Sequence, residues 1–488
     1  MLVPFLDLLM NQQTSQVEHS LIRRWWLSSC GGRDVMQLAL PLVLSTASWT
    51  LMHFVDRVFL TWHSTEAIAA AMPAGMLYFS VLCLPLGLAG YVNTFVAQYY
   101  GAARPESIGA IIWQGVLLGS LAIPLFALLI PAAPTIFQAA NHGPQIAQFE
   151  TVYFQALAFG AGGAVISAAL SAFFTGLGNS RVVMVVDMAA ALLNLSLDYL
   201  LIFGHAGLPE LGIWGAGIAT TISQWAKVVA YALIISKPEF RVPYRFIEGC
   251  RLDWPLMRRL LVYGSPSGIQ LFLETLAFTA FLFLIGRLGP IPLAATTIGF
   301  SINSFAFVPM LGLGIAVTTL VGQQLVRQKP RLAERATYSA FLLGGVYVGG
   351  MALLYLTCPK LFLLVHAAGS DAEFAKLSAI CAVLLRFVAL YCFLDMMHIV
   401  FVSAIKGAGD TRFVLLITLI VSPLPVLLAY LGLTVWNWGL FTFWGVITGW
   451  ISMLGLIYLF RFRQGKWKQM SVLDLTPDET ITKWNPSP

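Results

Sequence analysis

Twelve apolar runs, each long enough to cross a lipid bilayer, leave this chain few folds to choose from. A hydrocarbon core of ~30 Å takes about 20 residues of α-helix, and inside it every backbone polar group must be paired within the structure itself. The runs fall near 35–60, 72–99, 108–131, 149–175, 182–203 and 211–235, then near 257–285, 293–321, 336–358, 376–404, 413–433 and 440–462. A transmembrane barrel would show ~10-residue segments of alternating polarity, and none are present. Only 10% of the residues are charged and 58% are apolar, against about a quarter charged in soluble domains. Soluble, disordered and disulfide-scaffold chains are thereby excluded. The expected fold is all-α: twelve transmembrane helices in two six-helix lobes.

Charge placement gives the orientation. Loops and tails on one side of the spans hold 22 Lys and Arg, and those on the other hold three, Arg287, Lys360 and Lys376. Arg57, Lys227 and Arg386 lie within spans. The positive-inside rule then places both termini in the cytoplasm, the spans in a bacterial-type inner membrane. It also explains the net charge of +6 as membrane orientation, so no nucleic-acid partner is expected. Six scattered cysteines without a CxxC pair, and seven dispersed histidines, indicate neither a disulfide framework nor a zinc site. Residues 1–33 lack the order of a signal peptide, because Asp7 interrupts the first apolar run and Arg23 and Arg24 follow it. They read as a cytoplasmic amphipathic lead-in able to rest on the membrane surface, or as a start assigned upstream of Met10.

The chain repeats itself. A shift of 225 brings Pro41 onto Pro266, Ala69-Ala70 onto Ala294-Ala295, and Gly87-Leu88 onto Gly312-Leu313. Thr94, Val96 and Gln98 fall on Thr319, Val321 and Gln323 at the same shift, and Gly176, Gly178 and Arg181 on Gly407, Gly409 and Arg412 at a shift of 231. Two halves of like orientation suit an alternating-access transporter with its substrate between lobes near the midplane. The expected segments are the lead-in 1–33, an N-lobe 34–235, a basic connector 236–256, a C-lobe 257–462 and a cytoplasmic tail 463–488.

These residues resemble the multidrug and toxic-compound extrusion (MATE) family, in its bacterial NorM-type branch. The opening helix LALPLVLSTASWTLMHFVDRVFLT (38–61) is similar to the family's early proline followed by a Val-Asp pair. FFTGLGNSR (173–181) and AIKGAGDTR (404–412) resemble its paired glycine turns. LLNLSLDYLLIFG (192–204) with GIWGAGIATTIS (212–223) resembles its fifth and sixth helices. The similarity covers residues 34–462, and it implies two six-helix bundles around a V-shaped cleft.

Five carboxylates fall within the spans: Asp56, Asp187, Asp198, Glu274 and Asp395. Each costs about 2.5–3.5 kcal/mol at a helix centre on insertion scales, which makes it a functional candidate by default. Asp56 shares a helical face with Ser45, Ser48 and Met52; Asp187, Asn194 and Asp198 share another. Asp187, six residues after Arg181, is expected to pair or snorkel. In the second half Ser267, Gln270 and Glu274 line one face, and Tyr391, Asp395 and His398 another. The resemblance implies an N-lobe cation network of Asp56, Asn194, Asp198 and Thr220, and a C-lobe site at Glu274 and Asp395. Na⁺ would sit at Asp56, Asn194 and Asp198 or at Glu274 and Asp395. Substrate-cavity candidates are Met52, Asn93, Gln98, Gln270, Asn303 and Tyr391, with helix–helix hydrogen bonding as the alternative for the amides. Small-residue runs at 160–164 and 344–350 read as close-packing faces.

The expected function is secondary antiport: drugs or toxic organic cations leave in exchange for H⁺ or Na⁺. Burial disfavours the charged form of a carboxyl group, so one acid can carry either cation. No cofactor is expected, and no ATP, since no GxxxxGK[ST] string occurs. The protein is expected to work as a monomer among membrane lipids and not as an enzyme. The nearest thing to a catalytic constellation is Asp395 with His398. A lipid-linked oligosaccharide flippase of the same two-lobe architecture is the alternative. It would want a cationic cavity, and the spans hold three basic residues against five acids.

Overall fold

A computed structural model of the protein describes residues 21–139, 143–363 and 371–473. The first twenty residues of the expected lead-in and the tail from 474 lie outside the described residues. Every regular element among them is helical, and twelve helices are long and apolar enough to cross a membrane. In order these are α1 Gly32–His63, α2 Glu66–Gly101, α3 Pro105–Leu129, α4 Pro144–Leu177, α5 Ser180–Phe203, α6 Gly212–Ile235, α7 Trp254–Gly286, α8 Pro290–Val326, α9 Pro330–Thr357, α10 Leu377–Ala408, α11 Thr411–Thr434 and α12 Leu440–Arg463. They follow the apolar runs and overshoot them by a turn or so, because helical pairing does not stop where lipophilicity does. The start of α2 is set by local chemistry. The Ser64 hydroxyl accepts from the Ala67 N–H at 2.9 Å, satisfying a donor that the first helical turn leaves open.

The paired glycine turns end α4 and α10. Gly178 (φ +87°) and Gly409 (φ +105°) take left-handed backbone that a Cβ would resist. The following Asp410 accepts from Arg461 Nη2 at 2.7 Å.

Two compact units emerge. The N-unit is built on Leu44–Phe272 with the chain from Val472, and the C-unit on Leu273–Ser471 with the chain up to Val43. The boundaries fall inside α1 and α7 and not at the connector 236–256. Each of these two helices therefore begins in one unit and ends in the other. In the N-unit a Cβ on Gly87 would meet Gly268 Cα at 2.8 Å, so α2 and the early part of α7 cross backbone against backbone. In the C-unit the repeat-equivalent Gly312 would meet Val43 N at 2.6 Å. The small-residue run 160–164 is close-packed as expected. The run 344–350 is so only at its start, since Gly349 and Gly350 have open space beside them.

The segments leading into α1 and α7 are docked. In the C-unit Trp25, on the short helix Leu21–Leu27, is buried and donates from Nε1 to Ser339 Oγ at 3.0 Å. Ser339 in turn donates to the Cys30 carbonyl at 3.3 Å. This turns Trp25 into the protein, whereas a lead-in lying on the membrane surface would turn its apolar face to lipid; Ile22 and Leu27 stay exposed. In the N-unit the connector docks on α3 through Trp113 Nε1 to the Phe246 carbonyl (2.7 Å) and Gln114 Nε2 to the Arg251 carbonyl (3.0 Å).

Candidate functional site

Asp56 on α1, Asn194 and Asp198 on α5, and Thr220 on α6 meet inside the N-unit. Asp56 is 3% exposed, and Asn194 and Asp198 are wholly buried. The Asn194 amide is assigned with its nitrogen toward the acids, the orientation that gives each end a partner. It then donates to Asp56 Oδ1 and Asp198 Oδ2, each at 3.1 Å, and its oxygen accepts from the Thr220 N–H at 3.2 Å. The second oxygen of each acid, Asp56 Oδ2 and Asp198 Oδ1, is buried with no hydrogen-bond donor among the described residues. Helix periodicity explains the arrangement: Asn194 and Asp198 are one turn apart, so both face the same neighbour. Two carboxyl groups that share one amide nitrogen away from water repel each other when both are ionised, and a positive charge on their outer oxygens relieves that repulsion.

Asp187 does not join this group. Its Oδ1 lies 2.9 Å from Lys227 Nζ on α6, and its Oδ2 accepts from the Ser45 hydroxyl. Pairing was expected, but the partner is Lys227, which helix packing supplies, and not the nearby Arg181. Ser45, on the face of α1 that also carries Asp56, is thereby a helix–helix contact.

In the C-unit Asp395 is buried, with Oδ1 3.6 Å from His398 Nδ1. The His398 ring stacks on Tyr458 at 5.5 Å. Glu274 lies within electrostatic reach of Tyr458 and of Lys406 on α10. Asp395 thus lies beside His398, and Tyr458 stacks on that same histidine.

The cavity candidates separate. Asn93 accepts from Thr175 Oγ1 at 2.8 Å, and Gln98 Oε1 accepts from the Val472 N–H at 2.9 Å. Both are buried, and these atoms join α2 to other parts of the N-unit. Asn303 accepts from Cys392 Sγ at 3.6 Å. Tyr391 is buried, and its hydroxyl has no hydrogen-bond partner among the described residues. Met52 is buried one turn from Asp56. Gln270 is buried in the N-unit, one turn before Glu274, which belongs to the C-unit.

The MatE family model matches residues 41–200 and again residues 266–431, once for each half. The chain belongs to the MATE family. Among its relatives, the probable multidrug resistance protein NorM of Bradyrhizobium diazoefficiens is 30% identical over 387 residues, 78% of this chain and 82% of that protein. The protein of the same name from Burkholderia mallei is 30% identical over 410 residues, 83% of this chain and 84% of its own. The crystal structure of the eukaryotic MATE transporter AtDTX14 superposes with a TM-score of 0.80 at 19% identity, covering 90% of this chain and 96% of that one. An outward-facing MATE transporter of the MOP superfamily gives 0.80 at 18% identity, covering 94% and 100%.

Several residues around the acids of this MATE protein escape a reading by sequence. His53 Nδ1 lies 3.9 Å from Asp56 Oδ2, and Trp49 packs edge-on against its ring at 4.8 Å. His53 and Asp56 have the same three-residue spacing as Asp395 and His398, so this pairing is legible in the sequence. Tyr153 of α4 is buried within electrostatic reach of Asp56 and Asp198, and nothing in its neighbourhood marks it. Glu150 is a sixth acid, at the margin of the run 149–175, and it is wholly buried.

Proposed function

We propose that this MATE protein is a cation-coupled exporter of drugs or toxic organic cations. It works by alternating access in a bacterial-type inner membrane, with both termini cytoplasmic. The observation that carries the reading is the amide-bridged pair of acids. Asp56 and Asp198 are held on one Asn194 nitrogen, with two carboxylate oxygens left open. A proton or a sodium ion taken up there removes the repulsion between the acids. Its release restores the repulsion, and that cycle of attraction and repulsion between α1 and α5 is what would bias the transporter between its two states. Asn194 and Thr220 hold the acids in place, and the oxygens of Asp56, Asn194 and Asp198 can serve H⁺ or Na⁺. Glu274, and Asp395 beside His398, are the second-half acids that can serve as a further cation site. The relatives named as multidrug resistance proteins support drugs as substrates. The protein acts as a monomer, without ATP and without a catalytic reaction.

Efflux of a fluorescent organic cation from proteoliposomes tests this, driven in separate runs by a Na⁺ gradient and by a pH gradient. Efflux under one gradient names the coupling ion. Efflux under neither gradient removes the reading and moves lipid-linked substrates forward.

A further inference from the structure

Two polar levels tie α1, α5 and α6 together, and they are in register. From Ser45 to Asp56 along α1 is eleven residues, and from Asp187 to Asp198 along α5 is eleven residues. From Asp187 to Asn194 along α5 is seven residues, and from Thr220 to Lys227 along α6 is also seven. The upper level is the acid pair with Asn194 and Thr220. The lower level, about 16 Å nearer the N-terminal ends of α1 and α5, is Ser45, Asp187 and Lys227. The Ser45 hydroxyl donates to one oxygen of Asp187, and Lys227 Nζ sits 2.9 Å from the other. Three helices thus meet twice, at spacings that their geometry makes equal.

The levels differ in one respect. At the lower one Lys227 supplies a tethered positive charge to its acid. At the upper one Asp56 and Asp198 share the Asn194 amide, with His53 Nδ1 3.9 Å from Asp56 Oδ2, and no lysine or arginine of the described residues pairs with either acid. Lys227 also disqualifies the lower level as a second cation site, because its ammonium occupies the oxygen that a cation would use.

We propose that Ser45, Asp187 and Lys227 are positioning residues for the cation site, a register lock on α1 and α5. The proposal rests on the reading of Asp56 and Asp198 as that site. A slip of α1 by one residue along α5 would shift Asp56 by about 1.5 Å and turn it by about 100°, out of reach of the Asn194 amide. Ser45 prevents the slip. Lys227 balances the charge of Asp187, and because both side chains are partly buried, 21% and 17% exposed, losing Lys227 weakens the hold of Asp187 on Ser45.

The test is transport by purified protein in proteoliposomes, titrated with Na⁺ and with pH, for Ser45→Ala, Lys227→Met and the double variant Asp187→Asn/Lys227→Met. Thermal unfolding is followed alongside. Ser45→Ala keeps the ion pair and is expected to raise the half-saturating cation concentration ~5-fold, the worth of one hydrogen bond, with maximal rate unchanged. Lys227→Met is expected to shift it further. The double variant is expected to return toward wild type, because an Asn at position 187 still accepts from Ser45 without needing a counter-charge. Wild-type cation dependence in Ser45→Ala overturns the proposal. So does a loss of folded protein in these variants with the cation dependence of the folded fraction unmoved, which would make the triad a folding element alone. Asp56→Asn, measured in parallel, separates the two readings. If it transports with wild-type cation dependence, the cation-site reading fails. If it is inactive while Ser45→Ala is normal, only the register lock fails.

Discussion

Gln114 and Ser339 stand 225 residues apart, at the same place in the internal repeat, and each clasps the segment that leads into the first helix of the other half. Gln114, on α3, donates to the Arg251 carbonyl at 3.0 Å and accepts from the Asp253 N–H at 3.2 Å, just before α7. Ser339, on α9, accepts from Trp25 and donates to the Cys30 carbonyl, just before α1. The chemistry differs, an amide in one half and a hydroxyl with an indole in the other, but the job is the same. It accounts for the unit boundaries: α1 starts in the C-unit and α7 in the N-unit because their leading segments are fastened there.

Gln114→Ala is expected to lower stability by about 1–3 kcal/mol, because it removes the two hydrogen bonds that fasten the connector to α3. Hydrogen exchange is expected to rise across 244–253 and to stay unchanged across 25–34. Ser339→Ala should produce the reverse pattern. Mass-spectrometric exchange on the two variants checks both.

Cys30 lies inside the second clasp, outside the membrane spans, and burial, helped by the nearby Asp34 carboxylate, pushes its thiol up to about 11. The thiolate is the reactive form, so a maleimide at pH 7 is expected to label the exposed Cys250 and Cys358 and to spare Cys30. The sign for stability follows from linkage. The thiol is an acid whose folded value lies above its ordinary 9.0, so its contribution is complete below pH 9 and is lost as pH rises toward 11. Ser339→Ala should expose Cys30 to labelling, which peptide mapping would detect.

Asp56→Asn is expected to abolish cation-driven efflux while the protein stays in the membrane at its usual level. It removes the negative charge that the coupling cation balances and keeps the shape of the side chain. Efflux assays paired with membrane blots measure it, and normal export by this variant would remove Asp56 from the coupling site.

Gly87→Ala and Gly312→Ala should each cost about 1–3 kcal/mol, the usual penalty for overpacking. Each added Cβ meets a backbone atom, Gly268 Cα at 2.8 Å or Val43 N at 2.6 Å, which cannot swing aside as a side chain can. Gly349→Ala, which meets nothing within 4 Å, serves as the neutral control in thermal unfolding.

The sequence by itself determined the twelve spans, because the bilayer's thickness and its refusal of unpaired backbone act on each helix separately. It likewise determined that Asn194 and Asp198 share a face, since one helical turn is a local property. The repeat was legible too, and with it the equivalence of Gly87 and Gly312. Only the tertiary structure decided which faces meet. That Asn194 bridges Asp56 to Asp198, and that Asp187 chooses Lys227 over Arg181, both depend on how helices distant in sequence rotate against one another. Gln98 shows the limit most clearly. Its place on α2 marks it as a buried amide, but its partner is the backbone of Val472, 374 residues away, and no periodicity within a single helix carries that information.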